Sequence, residues 1–75
     1  MVRYYAVKDL KIGFMSLQPF ANDEVAKRAF MNAASDPASM LSKNPSDYEL
    51  WFIGEFDEST GRFCDLPEFI CNVGV

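Results

Sequence analysis

Glu49-Leu50-Trp51-Phe52-Ile53-Gly54-Glu55-Phe56 decides the fold. In an extended chain, alternation puts Leu50, Phe52, Gly54 and Phe56 on one face. It puts Trp51 and Ile53 on the other, with Glu49 and Glu55. Apolar groups on both faces mark a central strand, or a strand whose second face meets a partner chain. Downstream, Asp57-Glu58-Ser59-Thr60-Gly61 reads as a hairpin loop, with Gly61 as the left-handed residue that closes it. Arg62 to Leu66 return as the next strand. Pro67 interrupts that strand, and residues 69–73 form a short edge strand or an arm.

Upstream, residues 23–34 predict a helix. Asn22 or Asp23 supplies the N-cap, and Asp23 and Glu24 suit the positive end of the helix dipole. Ala26, Ala29, Phe30 and Ala33 recur at helical spacing as one apolar stripe. Lys27, Arg28 and Asn32 face away, a solvated face. Ser35-Asp36-Pro37 ends the helix, since the residue before proline is pushed out of helical geometry. A polar crossover follows over 37–48, with Met40 and Leu41 as core contacts and a turn at Pro45-Ser46-Asp47-Tyr48. Before the helix, residues 2–8 read as a strand and 9–13 as a turn. Residues 14–20 read as a second strand, at an edge because Pro19 lacks a backbone donor. The order is β-β-α-β-β. The expected fold is α+β, a small antiparallel sheet with one helix across one face, in a single domain over 1–75. Phe30 is expected to pack on Leu50, Phe52 or Phe56.

The chain has 75 residues, 49% hydrophobic and 15% aromatic, which is a globular rather than a disordered composition. A domain this short buries only about 60% of its unfolded surface, so a dimer interface would add needed burial. The net charge of −4 is the wrong balance for nonspecific binding to phosphate. The sequence has neither a signal-peptide h-region nor an apolar run of about 20 residues, which predicts no membrane association and a cytoplasmic address. Cys64 and Cys71 are expected to stay reduced and structural, as in a reducing compartment.

Catalytic signatures are missing. The chain contains no histidine, which removes the commonest general base and any Ser-His-Asp or Cys-His arrangement. Two cysteines alone cannot close a structural zinc site. Neither phosphate-binding glycine motif occurs. Glu55, Asp57 and Glu58 offer too few ordered oxygens for a calcium loop and read as a solvated hairpin tip. Glu49 and Glu55 stand about 20 Å apart on an extended strand, too far for a glycosidase pair. The chain is therefore expected to bind rather than catalyse, with no cofactor and no metal. The candidate surface is aromatic: Tyr5, Trp51, Ile53 and Phe63 as a dimer seam or a base-stacking platform. Arg3, Lys8 and Arg62 are the candidate phosphate contacts.

Motifs in order along most of the chain carry a resemblance. They are Tyr4-Tyr5, Pro19-Phe20, Asp36-Pro37, Pro45-Ser46-Asp47-Tyr48, Ile53-Gly54-Glu55-Phe56-Asp57 and Thr60-Gly61. Together they resemble the small nonstructural protein of gokushoviruses, single-stranded DNA phages of the microvirus group. Members often carry His before the second proline, where this chain has Asn44, so no role of that His carries over. The segment after Leu66 matches poorly. The resemblance implies a phage protein of the host bacterial cytoplasm, absent from the mature capsid. Such proteins are thought to act in genome replication or in the switch to single-strand synthesis and packaging, and some are labelled DNA-binding.

Two functions follow as expectations. One is a protein–protein adaptor in phage genome replication or packaging, itself a homodimer. Its partner would be the viral replication initiator, the procapsid or a host protein. An acidic surface suits a basic partner already engaged with DNA. The other is a small single-stranded DNA-binding module that uses the sheet aromatics.

Overall fold

The computed structural model describes residues 1–73. Among them, five strands make one antiparallel sheet: β1 (Val2–Asp9), β2 (Gly13–Phe14), β3 (Gln18–Pro19), β4 (Tyr48–Asp57) and β5 (Arg62–Asn72). Between β3 and β4 come helix α1 (Asp23–Ser35), the short helix α2 (Met40–Lys43) and a 3-10 turn over Pro45–Asp47. The spatial order is β2-β1-β4-β5, and β3 also pairs with β1. The fold is α+β. No helix among the described residues is long and apolar enough to cross a membrane.

Local chemistry explains the helix. The Asn22 side chain accepts a hydrogen bond from the Val25 amide at 3.0 Å, which caps α1, and Asp23 and Glu24 fill its first turn. Ala26 and Phe30 are buried in one cluster with Tyr5, Leu41, Tyr48, Leu50 and Phe52. The buried stripe is rotated from the expected one. Ala33 is exposed, while Met31 and Ala34 pack against the cluster. Of the two crossover residues expected in the core, Leu41 is buried and Met40 is exposed.

The expected second strand is broken. Gly13 and Phe14 pair with Asp9 and Lys8, and Gln18 and Pro19 pair with Tyr5 and Tyr4. Ser16 and Leu17 lie in neither piece. The segment still runs along the outer edge of β1, where Pro19 needs no ladder partner on its far side. Pro67 also acts differently from expectation. It does not end the return strand, because β5 runs on to Asn72. Phe52 pairs with Glu68 and Gly54 with Asp65, so Leu66 and Pro67 bulge out of the ladder. Proline's missing N–H therefore breaks no ladder bond.

A bulge in β4 sets the faces. Tyr5 pairs with Phe52 but Tyr4 pairs with Gly54, so Ile53 is the extra residue and has no partner on β1 or β5. A bulge resets the alternation beyond it. Arg3 lies over the Phe52 ring at 4.1 Å and reaches Glu55 at 3.9 Å. Glu55 therefore shares the Phe52 side, whereas unbroken alternation predicts the Trp51 side. Phe56 lies outside the core cluster. Next to the bulge, Gly54 is obligatory. A Cβ there would run into the Cys64 carbonyl oxygen and come within 2.9 Å of the Phe63 ring.

Candidate functional site

The side of the sheet away from the core cluster carries a row of rings. Trp51 sits at its centre on β4. Phe14 from β2 meets it edge-on at 5.6 Å between centroids, and Phe69 from β5 does so at 6.0 Å. Phe14 is 50% exposed and Phe69 is 49% exposed. The register brings them there: Lys8 pairs with Phe14, and Trp51 pairs with Ala6 on one side and Phe69 on the other. A second pair lies further along. Tyr4 and Phe63 rings stand 6.1 Å apart, and Phe63 is 40% exposed. Tyr4, Ala6 and Lys8 alternate with Arg3 and Tyr5, which point into the core side.

The charges beside Trp51 are opposite and adjacent. Lys8 Nζ lies 5.3 Å from both the Phe14 and the Trp51 ring centres, a cation–π arrangement. The Trp51 indole N–H donates to Glu49 Oε1 at 3.0 Å. Lys8 and Glu49 are cross-strand partners in the β1–β4 register. The ring row is thus flanked by one positive and one negative group that offset each other.

Four of the expected site residues are placed otherwise. Tyr5 is 0% exposed and packs on Phe52 and Phe20 at 5.4 and 5.9 Å, so it is a core residue. The reason is register: Tyr5 opposes Phe52, not Trp51. Ile53 is partly buried in the bulge. Arg3 is held on the core side. Its Nη2 donates to Asp23 Oδ1 at 2.9 Å and its Nε donates to the Tyr5 hydroxyl oxygen at 2.9 Å. Arg62 pairs with Asp57 at the hairpin end of β4, while Lys8 pairs with Glu49 at the opposite end. About eight strand residues separate those two pairings, some 26 Å. The three expected phosphate contacts therefore do not form one track. Trp51 and Phe63 do lie on the open face. Phe14, Phe69, Tyr4 and Glu49 join them there. The sequence signal for Phe69 was its wide aromatic ring within a β-forming run, masked by Pro67.

The Arg3–Tyr5–Asp23 cluster is the other polar constellation. The Tyr5 hydroxyl donates to Asp23 Oδ1 at 2.6 Å. That bond, followed by the Arg3 guanidinium, holds the Asp23 carboxyl below its ordinary range. Burial, then the Asp23 bond, pushes the Tyr5 phenol up. The groups satisfy one another and tie β1 to the start of α1. The acidic hairpin residues are likewise engaged separately. Glu55 faces Arg3, Asp57 accepts from the Ser59 amide and hydroxyl, and Glu58 meets the N-terminal amine at 3.0 Å. Cys64 and Cys71 are free thiols seven residues apart on one strand, about 20 Å by strand rise and beyond disulfide reach. Burial raises the Cys71 thiol.

A family model described as the phage ORF5 protein matches residues 2–74. No curated protein and no solved structure matches the chain.

Proposed function

Since the chain belongs to the phage ORF5 protein family, we propose that it is a non-catalytic protein–protein adaptor of a phage. Its setting is genome replication or packaging of a single-stranded DNA phage of the gokushovirus kind, in the host bacterial cytoplasm. The observation that carries this reading is the part-exposed row Phe14–Trp51–Phe69, flanked by the offset charges of Lys8 and Glu49, a face that fits contact with protein, a second copy included, better than with a phosphate chain. Exposed aromatic rows on a small domain mark contact surfaces, and Trp and Tyr dominate protein hot spots. The acidic remainder of the surface, at net −4, favours a basic protein partner already bound to nucleic acid.

The second reading is a single-stranded DNA platform. Lys8 beside the Phe14 and Trp51 rings favours it, because bases stack on rings while a cation meets the backbone. Two things weigh against it. Arg3 is spent inside the fold, and Lys8 and Arg62 lie at opposite ends of β4. A backbone-tracking groove needs several cations in line, and each phosphate contact adds to the salt dependence. Titrating fluorescently labelled single-stranded DNA at rising salt separates the two. The adaptor reading expects no saturable binding at physiological salt. Micromolar binding that weakens steeply with salt, and is lost in Trp51→Ala, would replace it with the DNA reading.

A further inference from the structure

We infer that the open face centred on Trp51 is the seam of a two-fold homodimer, which leaves the acidic surface outside the seam for the partner. The inference rests on the chain working by binding, and it names what covers this face. Charge on this face fits a second copy. The whole chain is at −4, yet the charges at the centre of this face are one Lys8 and one Glu49, partners in register, and Asp65, opposite Gly54 at the Tyr4 end, is the further charge that the register puts there. Glu68 pairs with Phe52 and Arg3 with Glu55, on the core side. A phosphate chain needs a positive face and a basic protein needs a negative one. A face whose central charges offset each other suits a second copy, which brings the same rings and the opposite charge to each Lys8 and Glu49.

The area of the face bears on the same point. Three long strands about 4.8 Å apart, over about eight residues of 3.3 Å, present a face of some 380 Å², which Phe14 on the two-residue β2 widens. Two such faces bury about 760 Å² before the side chains are counted, and a specific interface clears about 1,000 Å². Rings standing off the sheet, and Ile12 beside Phe14 in the turn (88% exposed), add to that figure. Left in water, the same patch would rank with the largest that monomers expose, which are often contact sites.

Closure at two copies follows from the sheet edges. Copies can also add to one another through a sheet edge, and β5 is the long exposed one. That edge is interrupted, with bulges at Leu66–Pro67 and Ile70, a proline, and the charges of Asp65 and Glu68. Prolines, charges and bulges are what keep natural edges from pairing. Face-to-face contact remains, and a self-complementary face closes at two copies.

Light scattering coupled to size exclusion tests the seam on the full chain, from low to tens of micromolar. The expected mass is twice 8.5 kDa. Phe69→Glu and Phe14→Glu alter half-exposed rings and are expected to halve the mass while the far-ultraviolet circular dichroism stays unchanged. Met40→Glu, on an exposed side chain of α2, is expected to keep the dimer mass. Trp51, the single tryptophan, gives a readout without mutation: its emission should shift to the red on dilution as the seam opens. A wild-type monomer at tens of micromolar, or a dimer that survives both Glu variants, overturns the seam. If that monomer also binds labelled single-stranded DNA, the adaptor reading falls with it. If it does not, only the seam is lost.

Discussion

The Tyr5 hydroxyl donates to Asp23 Oδ1 at 2.6 Å, and this bond fastens the middle of β1 to the first turn of α1. Arg3 completes the clip from the same strand, donating to both groups. Tyr5→Phe keeps the ring against Phe52 and removes only the hydroxyl. It should cost about 1.5–3 kcal/mol, the usual worth of a hydrogen bond to a charged group. Thermal unfolding of the two proteins at neutral pH measures it.

The same clip sets a pH dependence. The Asp23 carboxyl is held below its ordinary value, with the Tyr5 bond the largest cause. Its contribution is present above the unfolded carboxylate value near 3.9 and is lost as pH falls through the lower folded value. The Tyr5 phenol is raised, chiefly by burial. Its contribution is present below the unfolded value of about 10 and is lost as pH climbs through the higher folded value. Melting temperature against pH should therefore fall at both ends, with the loss at the alkaline end smaller in Tyr5→Phe.

Phe30 is the anchor of α1 in the core, buried with Tyr5, Leu50 and Phe52. Phe30→Ala should cost about 3–5 kcal/mol. Domains hold roughly 0.05–0.15 kcal/mol per residue, so about 4–11 kcal/mol here. The variant should melt far below wild type or fail to fold. A melt unchanged by the substitution would rule out the packing.

Gly54 and Gly61 make a contrasting pair. Gly54→Ala pushes a methyl into the Cys64 carbonyl and to 2.9 Å from the Phe63 ring, between two strands that cannot part. It should cost about 1–3 kcal/mol or more. Gly61 has φ 76° and open space around its missing Cβ, so Gly61→Ala meets only backbone strain, roughly 1 kcal/mol. Denaturant melts should rank Gly54→Ala as the more damaging.

What the sequence disclosed was local. The Asn22 cap, the Phe30 anchor, the left-handed Gly61 and the apolar β4 each carry their signal within a few residues. What it hid was register between distant strands. Tyr5 and Trp51 lie 46 positions apart, and only the pairing of Tyr5 with Phe52 shows that they face opposite ways. The bulge at Ile53 moved Glu55 across the sheet without any mark such as a proline. Phe14 and Phe69 went unread for related reasons. Phe14 rides on a two-residue ladder, and Phe69 follows a proline that bulges out of its strand instead of ending it.

The adaptor reading is tested most directly by recovering the tagged full-length chain from infected cells, with and without nuclease treatment of the lysate. A viral replication or procapsid protein, or one host protein, should be recovered in equal amount after nuclease. Loss of that protein with the nucleic acid would show that DNA, not the chain's own surface, makes the link, and would contradict it.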